Sequence, residues 1–285
     1  MLSPELLAAV RETPAAMNFI AVFVVFFGAC VGSYLNVCIY RIPREESTIK
    51  PRSHCPHCGK LIAWYDNIPL LSWMALRAKC RNCKGKISSR YILVEALVAV
   101  LFFLVWMQYG LSPKTPVYWL MMGGLVLGTF VDFEHMIIPD RVSLGGLAAG
   151  LILSPLIPSL HGKSFWLDAL ISSSIGAALG GGLLYGVGVL GKMAFKKDAM
   201  GLGDVKLLAG LGAFLGWRAV LFIIMISSFI GAFVGMGFII AKKHEWQSRI
   251  PYGPYIALAA MIWILWGPQV WSWYITLLSG GAAMP

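Results

Sequence analysis

The chain has 285 residues, of which 58% are hydrophobic and only 13% charged, with a mean hydropathy of +0.75 and a formal net charge of +10. So few charges cannot cover one water-soluble core of that size, which excludes a soluble domain and points to a chain that crosses a bilayer several times. The basic excess does not argue for nucleic acid, because the cations cluster at the ends of apolar runs, where membrane topology explains them.

A hydrocarbon core of roughly 30 Å takes about 20 apolar residues per helical crossing. In chain order the candidate windows are 18–40, 91–110, 117–131, 142–160, 166–191, 205–217, 219–241 and 254–278. The third and sixth are short, which suits tilted or partly re-entrant passages. The expected fold is an all-α polytopic membrane protein of about eight transmembrane helices, with a small zinc-binding cytoplasmic domain between the first two. Its expected parts are a short extracytoplasmic segment (1–17), the first transmembrane helix (18–40), the zinc-binding domain (41–90) and a second transmembrane domain (91–285). Residues 1–17 carry Glu5 and Glu12 and lack the basic start of a signal peptide, so the first apolar run is expected to stay as an anchor. With the amino terminus outside, the loops 41–90, 132–141, 192–206 and 242–250 face the cytoplasm and hold 19 of the 23 lysines and arginines, as the positive-inside rule requires.

Residues 41–90 contain "CPHCGK" and "CRNCKG", with 21 residues between the second cysteine of one and the first cysteine of the other. Cys55, Cys58, Cys80 and Cys83 thus form a CxxC…CxxC pattern, in which two tight turns offer four thiolates to one tetrahedral Zn²⁺. Two disulfides are the alternative, and a reducing cytoplasm disfavours them. His54 and His57 adjoin the first pair and read as surface residues; Cys30 and Cys38, in the first span, read as small core residues. A four-thiolate zinc has a closed shell, so its role is folding, and a module of about 50 residues needs such a staple.

Two aspartates stand where apolar runs stop or begin. Asp132 follows "LVLGTFV", and Asp204 precedes "VKLLAGLGAFLGW" directly after "GLG". Each sits about one helical turn from water on the same expected face, and a carboxylate at that depth needs a reason. If the two helix ends meet, the carboxyls share one proton and form a water-activating dyad of the aspartic-protease kind. A proton or ion pathway through the same acids is the competing reading, and a helix cap or solvated charge is the plain one for either acid alone. Asp140, after "IIP", reads as an N-cap; Asp198 reads as a loop charge, and Glu134 and His135 as residues at the lipid headgroups.

These segments resemble a known family. "GLGD" at 201–204 matches the GxGD signature of intramembrane-type aspartyl proteases, and "DFEHMIIPD" at 132–140 matches the D-x6-P-D pattern of the type IV prepilin peptidases. "GSYLNVCIYRIP" (32–43), "DNIPLLSW" (66–73), "SSRYILVE" (88–95), "PYGPY" (251–255) and the cysteine knuckle are similar to the bacterial branch, in family order. The resemblance implies catalytic roles for Asp132 and Asp204 in a bifunctional enzyme of the bacterial inner membrane. Such an enzyme cuts the basic leader from type IV prepilins or pseudopilins at the cytoplasmic face. It then methylates the new terminal amine with S-adenosyl-L-methionine. The family usually has "LRGxC" where this chain has "LRAKC", with Ala78 in place of Gly. No Gly-rich strand–loop–helix marks a methyl-donor site, and sequence leaves that site and the oligomeric state open.

Overall fold

The computed structural model describes residues 13–196, 200–240 and 251–278. The stretch 1–12 of the expected extracytoplasmic segment, Asp198 and the basic loop 242–250 lie outside the described residues. Among the described residues there are eight α-helices: α1 (Pro14–Arg41), α2 (Leu71–Ala75), α3 (Ser89–Tyr109), α4 (Lys114–His135), α5 (Asp140–Leu156), α6 (Trp166–Phe195), α7 (Leu202–Ile240) and α8 (Gly253–Leu278). All but α2 and α5 are long and apolar enough to cross a membrane, six in all, so the fold is an all-α, multi-pass membrane protein. The eight apolar windows return as seven of these helices. The windows 205–217 and 219–241 both fall in α7, which is broken where Gly216 adopts φ +79°.

The chain forms two compact units, Met1–Leu127 and Gly128–Pro285. In the first, α1 crosses α3 through a GxxxG pair. A Cβ on Gly28 would come 2.8 Å from Ala99 Cα, and one on Gly32 would come 2.7 Å from Glu95 Cα. Only hydrogen fits there, and close backbone approach replaces the hydrophobic drive that lipid cannot supply. Buried Asn36 sits one turn further along and donates to the Tyr91 carbonyl at 3.0 Å. Phe27, Phe102 and Trp119 stack beside this crossing. Cys38 is buried as expected, but Cys30 is half-buried rather than core.

In the second unit α6 and α7 also meet backbone to backbone, with Gly176 against Gly212 and Gly180 against Leu208. The break at Gly216 lies three residues on from Ala213, whose carbonyl would accept the N–H of Trp217 in an unbroken helical ladder. Buried hydroxyls take up the Ala213 carbonyl: Ser173 donates at 2.7 Å and Ser154 at 3.0 Å. His161, 3.0 Å from Ser154 Oγ, completes the cluster. Three polar side chains from α5, α6 and the turn between them thus hold the kink in place.

Candidate active site and metal centre

The second unit brings the two acids together. Asp132 lies in the last turn of α4, and Asp204 in the first turn of α7. They are only 5% and 9% exposed, and Asp204 is close enough to Asp132 to feel its charge. Neither has a cationic partner among the described residues.

Local sequence explains each position. Gly201 caps α7, and the Asp204 carboxylate three residues on reaches back to accept its backbone N–H, as in half of a capping box. The helix dipole also favours an acid there. Asp132 sits at the opposite pole, where the dipole disfavours negative charge, so helix stability does not account for it. Its support comes from a distant segment: the N–H of Gly253, the first residue of α8, points at its carboxylate. A Cβ at Gly253 would lie 2.6 Å from Asp132 Oδ2, so no other residue fits without moving the acid.

After Asp132 the chain reverses sharply. Met136 takes a left-handed φ of +53° and its N–H bonds the Asp132 carbonyl at 2.9 Å. Ile138 then fills the gap between the two glycine-bearing helix starts, 3.3 Å from where Gly203 would carry a Cβ and 3.0 Å from the same point on Gly253. Asp140 is not the N-cap of α5. Pro139 holds that place, and Asp140 is the first helical residue, paired with Lys206 at 2.8 Å. A prolyl φ already suits a helix start, which leaves the acid free for a bridge to α7.

His135 is not simply a headgroup residue: its Nε2 is buried and has no hydrogen-bond partner among the described residues, as is true of Thr129 Oγ1. These residues stand three positions either side of Asp132, one turn away on the same face. Buried polar atoms left unmatched beside an acid are what a site for water or a peptide backbone presents. Sequence reasoning missed Thr129, His135 and Gly253; only the "PYGPY" stretch signalled the last. Tyr252 in that stretch bonds Ser227 at 2.7 Å and Ser228 at 3.2 Å, locking the start of α8 to α7.

The cysteines form a second centre, in the first unit. The Sγ atoms of Cys55, Cys58, Cys80 and Cys83 all lie within 4.8 Å of one another, and all four cysteines are free. Cys55 and Cys83 sulfurs are 3.8 Å apart, far beyond a disulfide's roughly 2.05 Å. A tetrahedral zinc with bonds of about 2.3 Å sets its sulfurs about 3.8 Å apart, so the donor set fits that ion.

Two matching turns build it. Cys55 N–H bonds the Lys60 carbonyl at 2.9 Å, and Cys80 N–H bonds the Gly85 carbonyl at 2.8 Å. Gly59 and Lys84 hold the left-handed position of each turn, at φ +67° and +59°. Backbone N–H groups of Cys83 and Asn82 aimed at Cys80 bring its thiol down to about 6, whereas at Cys83 the Gly85 N–H is outweighed by desolvation and the neighbouring sulfurs, which push the thiol up to about 11. His54 and His57 are exposed, as expected. Arg81 forks onto Asp66 at 2.6 and 2.8 Å and holds that carboxyl below its usual range. Ala78, the departure from "LRGxC", has φ +58°, a conformation that favours glycine.

Comparison with known proteins now bears on this arrangement. Residues 26–109 match the bacterial peptidase A24 N-terminal domain, and residues 119–236 match the type IV leader peptidase family. A prepilin leader peptidase/N-methyltransferase of Aeromonas hydrophila is 39% identical over 277 residues, covering 89% of this chain and 93% of that protein. The chain belongs to the type IV leader peptidase family.

Other members of the family bearing that same name are 37% identical over 272 residues in Stutzerimonas stutzeri (87% of this chain, 91% of the relative) and 35% over 276 residues in Pseudomonas aeruginosa (88% and 92%). No solved structure matches the chain. Family membership makes the chain an enzyme, a peptidase, and with its six apolar helices a multi-pass inner-membrane protein. The proton- or ion-pathway reading gains nothing from these relatives. Beyond the two aspartates, the buried charged side chains among the described residues are Arg41 and Glu95, both in the first unit.

Proposed function

We propose that this enzyme cleaves the basic leader from type IV prepilins or pseudopilins with Asp132 and Asp204, and methylates the amine that cleavage exposes. The observation that carries this reading is the pair of buried acids, without a cationic partner among the described residues, at the adjoining ends of α4 and α7.

Two carboxyls so placed hold one proton between them. The ionised member takes a proton from water as the oxygen adds to the scissile carbonyl, while the protonated member gives its proton to the carbonyl oxygen. Collapse of the tetrahedral adduct breaks the C–N bond. The leader leaves with a carboxyl terminus and the mature pilin with an amine, the dyad returning the proton that the amine needs. Gly253 N–H and Gly201 N–H orient the two carboxyls through this exchange. Thr129 and His135 offer unpaired polar atoms to the water or the extended peptide. A helical peptide bond is shielded by its own hydrogen bonds, so the substrate must be unwound at the cleavage point.

S-adenosyl-L-methionine, when bound, supplies a methyl group to the amine nitrogen, its sulfur keeping the electron pair of the broken C–S bond. Zinc on Cys55, Cys58, Cys80 and Cys83 is a structural ion, closing the fold of the loop between α1 and α3. The amino terminus faces outward and the aspartates face the cytoplasm, on the positive-inside argument from the loop cations. The basic leader and the scissile bond of a prepilin wait at that same boundary.

The test is purified enzyme with a synthetic prepilin and labelled S-adenosylmethionine, following leader release and methyl transfer separately. The parent does both. Asp132→Asn releases no leader yet methylates a peptide supplied already cut. Methylation of the uncut precursor, or no leader release by the parent, would sink the reading.

A further inference from the structure

Two stretches singled out in the sequence, 32–43 and 66–73, play no part in the peptidase chemistry. In the first unit they line one cavity of about 540 Å³, within the roughly 300–1,000 Å³ of small-molecule sites. One wall is a single face of α1. Cys30, Ser33, Val37 and Arg41 follow at steps of three or four residues, with Tyr34 alongside. A face this polar is not what a membrane span presents to lipid. The opposite wall is the loop that leads into and out of the first knuckle, with Arg52, Trp64 and Asn67.

The chemistry of these groups differs. Arg41 is buried and committed to the fold, donating to the carbonyls of Ser47 and Pro51 at 2.9 and 2.8 Å. It fixes the loop and carries the floor of the cavity. Arg52 is exposed and has no acidic partner among the described residues, so its planar guanidinium is available to a carboxylate. Trp64 is 75% exposed, a large aromatic surface open to stack on a heteroaromatic ring. Behind Ser33, and hydrogen-bonded to it, lies the carboxyl of Glu95, only 7% exposed. The Leu70 N–H also holds it, at 2.8 Å. A buried acid one side chain back from the wall supplies negative potential to a cationic centre in the cavity.

We infer that this cavity binds the methyl donor S-adenosyl-L-methionine, with its purine on Trp64, its carboxylate on Arg52 and its sulfonium toward Ser33 and Glu95. The assignment rests on the methyltransferase reading above and gives the 32–43 and 66–73 stretches a shared task. It also accounts for a zinc staple here. The knuckle begins at Cys55, three residues after Arg52, and anchors the loop that makes one wall.

Full-length, zinc-loaded protein in lipid nanodiscs is titrated with S-adenosylhomocysteine by calorimetry, and tritiated S-adenosylmethionine is photo-cross-linked and mapped. Expected are label on the peptide holding Trp64 and binding weakened at least tenfold by Arg52→Ala, by Trp64→Ala and by cavity-filling Ser33→Leu, each with zinc retained. Lys86→Ala, exposed on the second knuckle, binds as the parent does. Unchanged affinity in the Arg52 and Trp64 variants, or label elsewhere, overturns the cavity assignment and leaves methyl transfer standing. No binding by the parent brings down the methyltransferase reading itself, and the cavity assignment with it.

Discussion

Gly253→Ala separates position from presence at the candidate dyad. The added Cβ would lie 2.6 Å from Asp132 Oδ2 and 3.0 Å from Ile138 Cδ1. That is roughly 0.7 Å inside the closest ordinary C···O approach of about 3.3 Å. The carboxylate is the end of a short side chain, so it swings away rather than unfolding the helix ends, and stability changes by about 1 kcal/mol or less. The swing removes the Gly253 N–H bond and takes the oxygen off line with the water it must deprotonate. A misplacement on the order of 1 Å costs about 10²-fold in rate, or about 2.7 kcal/mol of barrier. Leader release from a synthetic prepilin, in single-turnover assays with zinc content and thermal midpoint measured beside it, reads this directly. The control is Gly186→Ala in α6, where a Cβ meets nothing within 4 Å. Cleavage by Gly253→Ala at the parent's rate, with the fold intact, would refute the claim that the first residue of α8 sets Asp132.

Three further outcomes follow from the packing. Gly32→Val drives a branched side chain into a gap where a Cβ already comes within 2.7 Å of Glu95 Cα, and the α1–α3 crossing loses about 1–3 kcal/mol or more, seen as a lower thermal midpoint in detergent. Ala78→Gly relieves the left-handed φ of +58° and raises that midpoint by the equivalent of roughly 1 kcal/mol; a lower midpoint would show the strain argument to be wrong. Cys80→Ser removes a thiolate from the four-sulfur cluster, so purified protein loses its zinc and residues 41–90 become protease-sensitive. Acidifying the parent does the same as protons compete for the sulfurs, and full zinc occupancy in the variant would contradict the cluster.

Much of this was legible because bilayer and metal chemistry impose sequence patterns that local reading detects. Apolar windows matched the long helices to within a few residues, and two of them met at residue 218, two positions past the glycine at 216 where the helix breaks. The CxxC pairs gave the four sulfurs that the turns bring together. What stayed hidden depends on contacts between remote segments. Nothing near Asp132 announces that residue 253 must lack a side chain, since that demand arises only when α8 begins against the end of α4. Nor could sequence show that Ser154 and Ser173 serve one carbonyl, because the need arises at a helix break in a third segment. Asp140 misled in the opposite way. Its type suits a cap, but a proline immediately before it had already taken that position.

The most direct measurement of the central claim is a double-mutant cycle on leader cleavage with Asp132→Asn, Asp204→Asn and both together, in membranes where each protein inserts and keeps its zinc. Acids that share one proton act as a unit, so each single change abolishes cleavage and the double change is no worse than either. Full cleavage by either single variant, or losses that simply multiply in the double, would contradict the account.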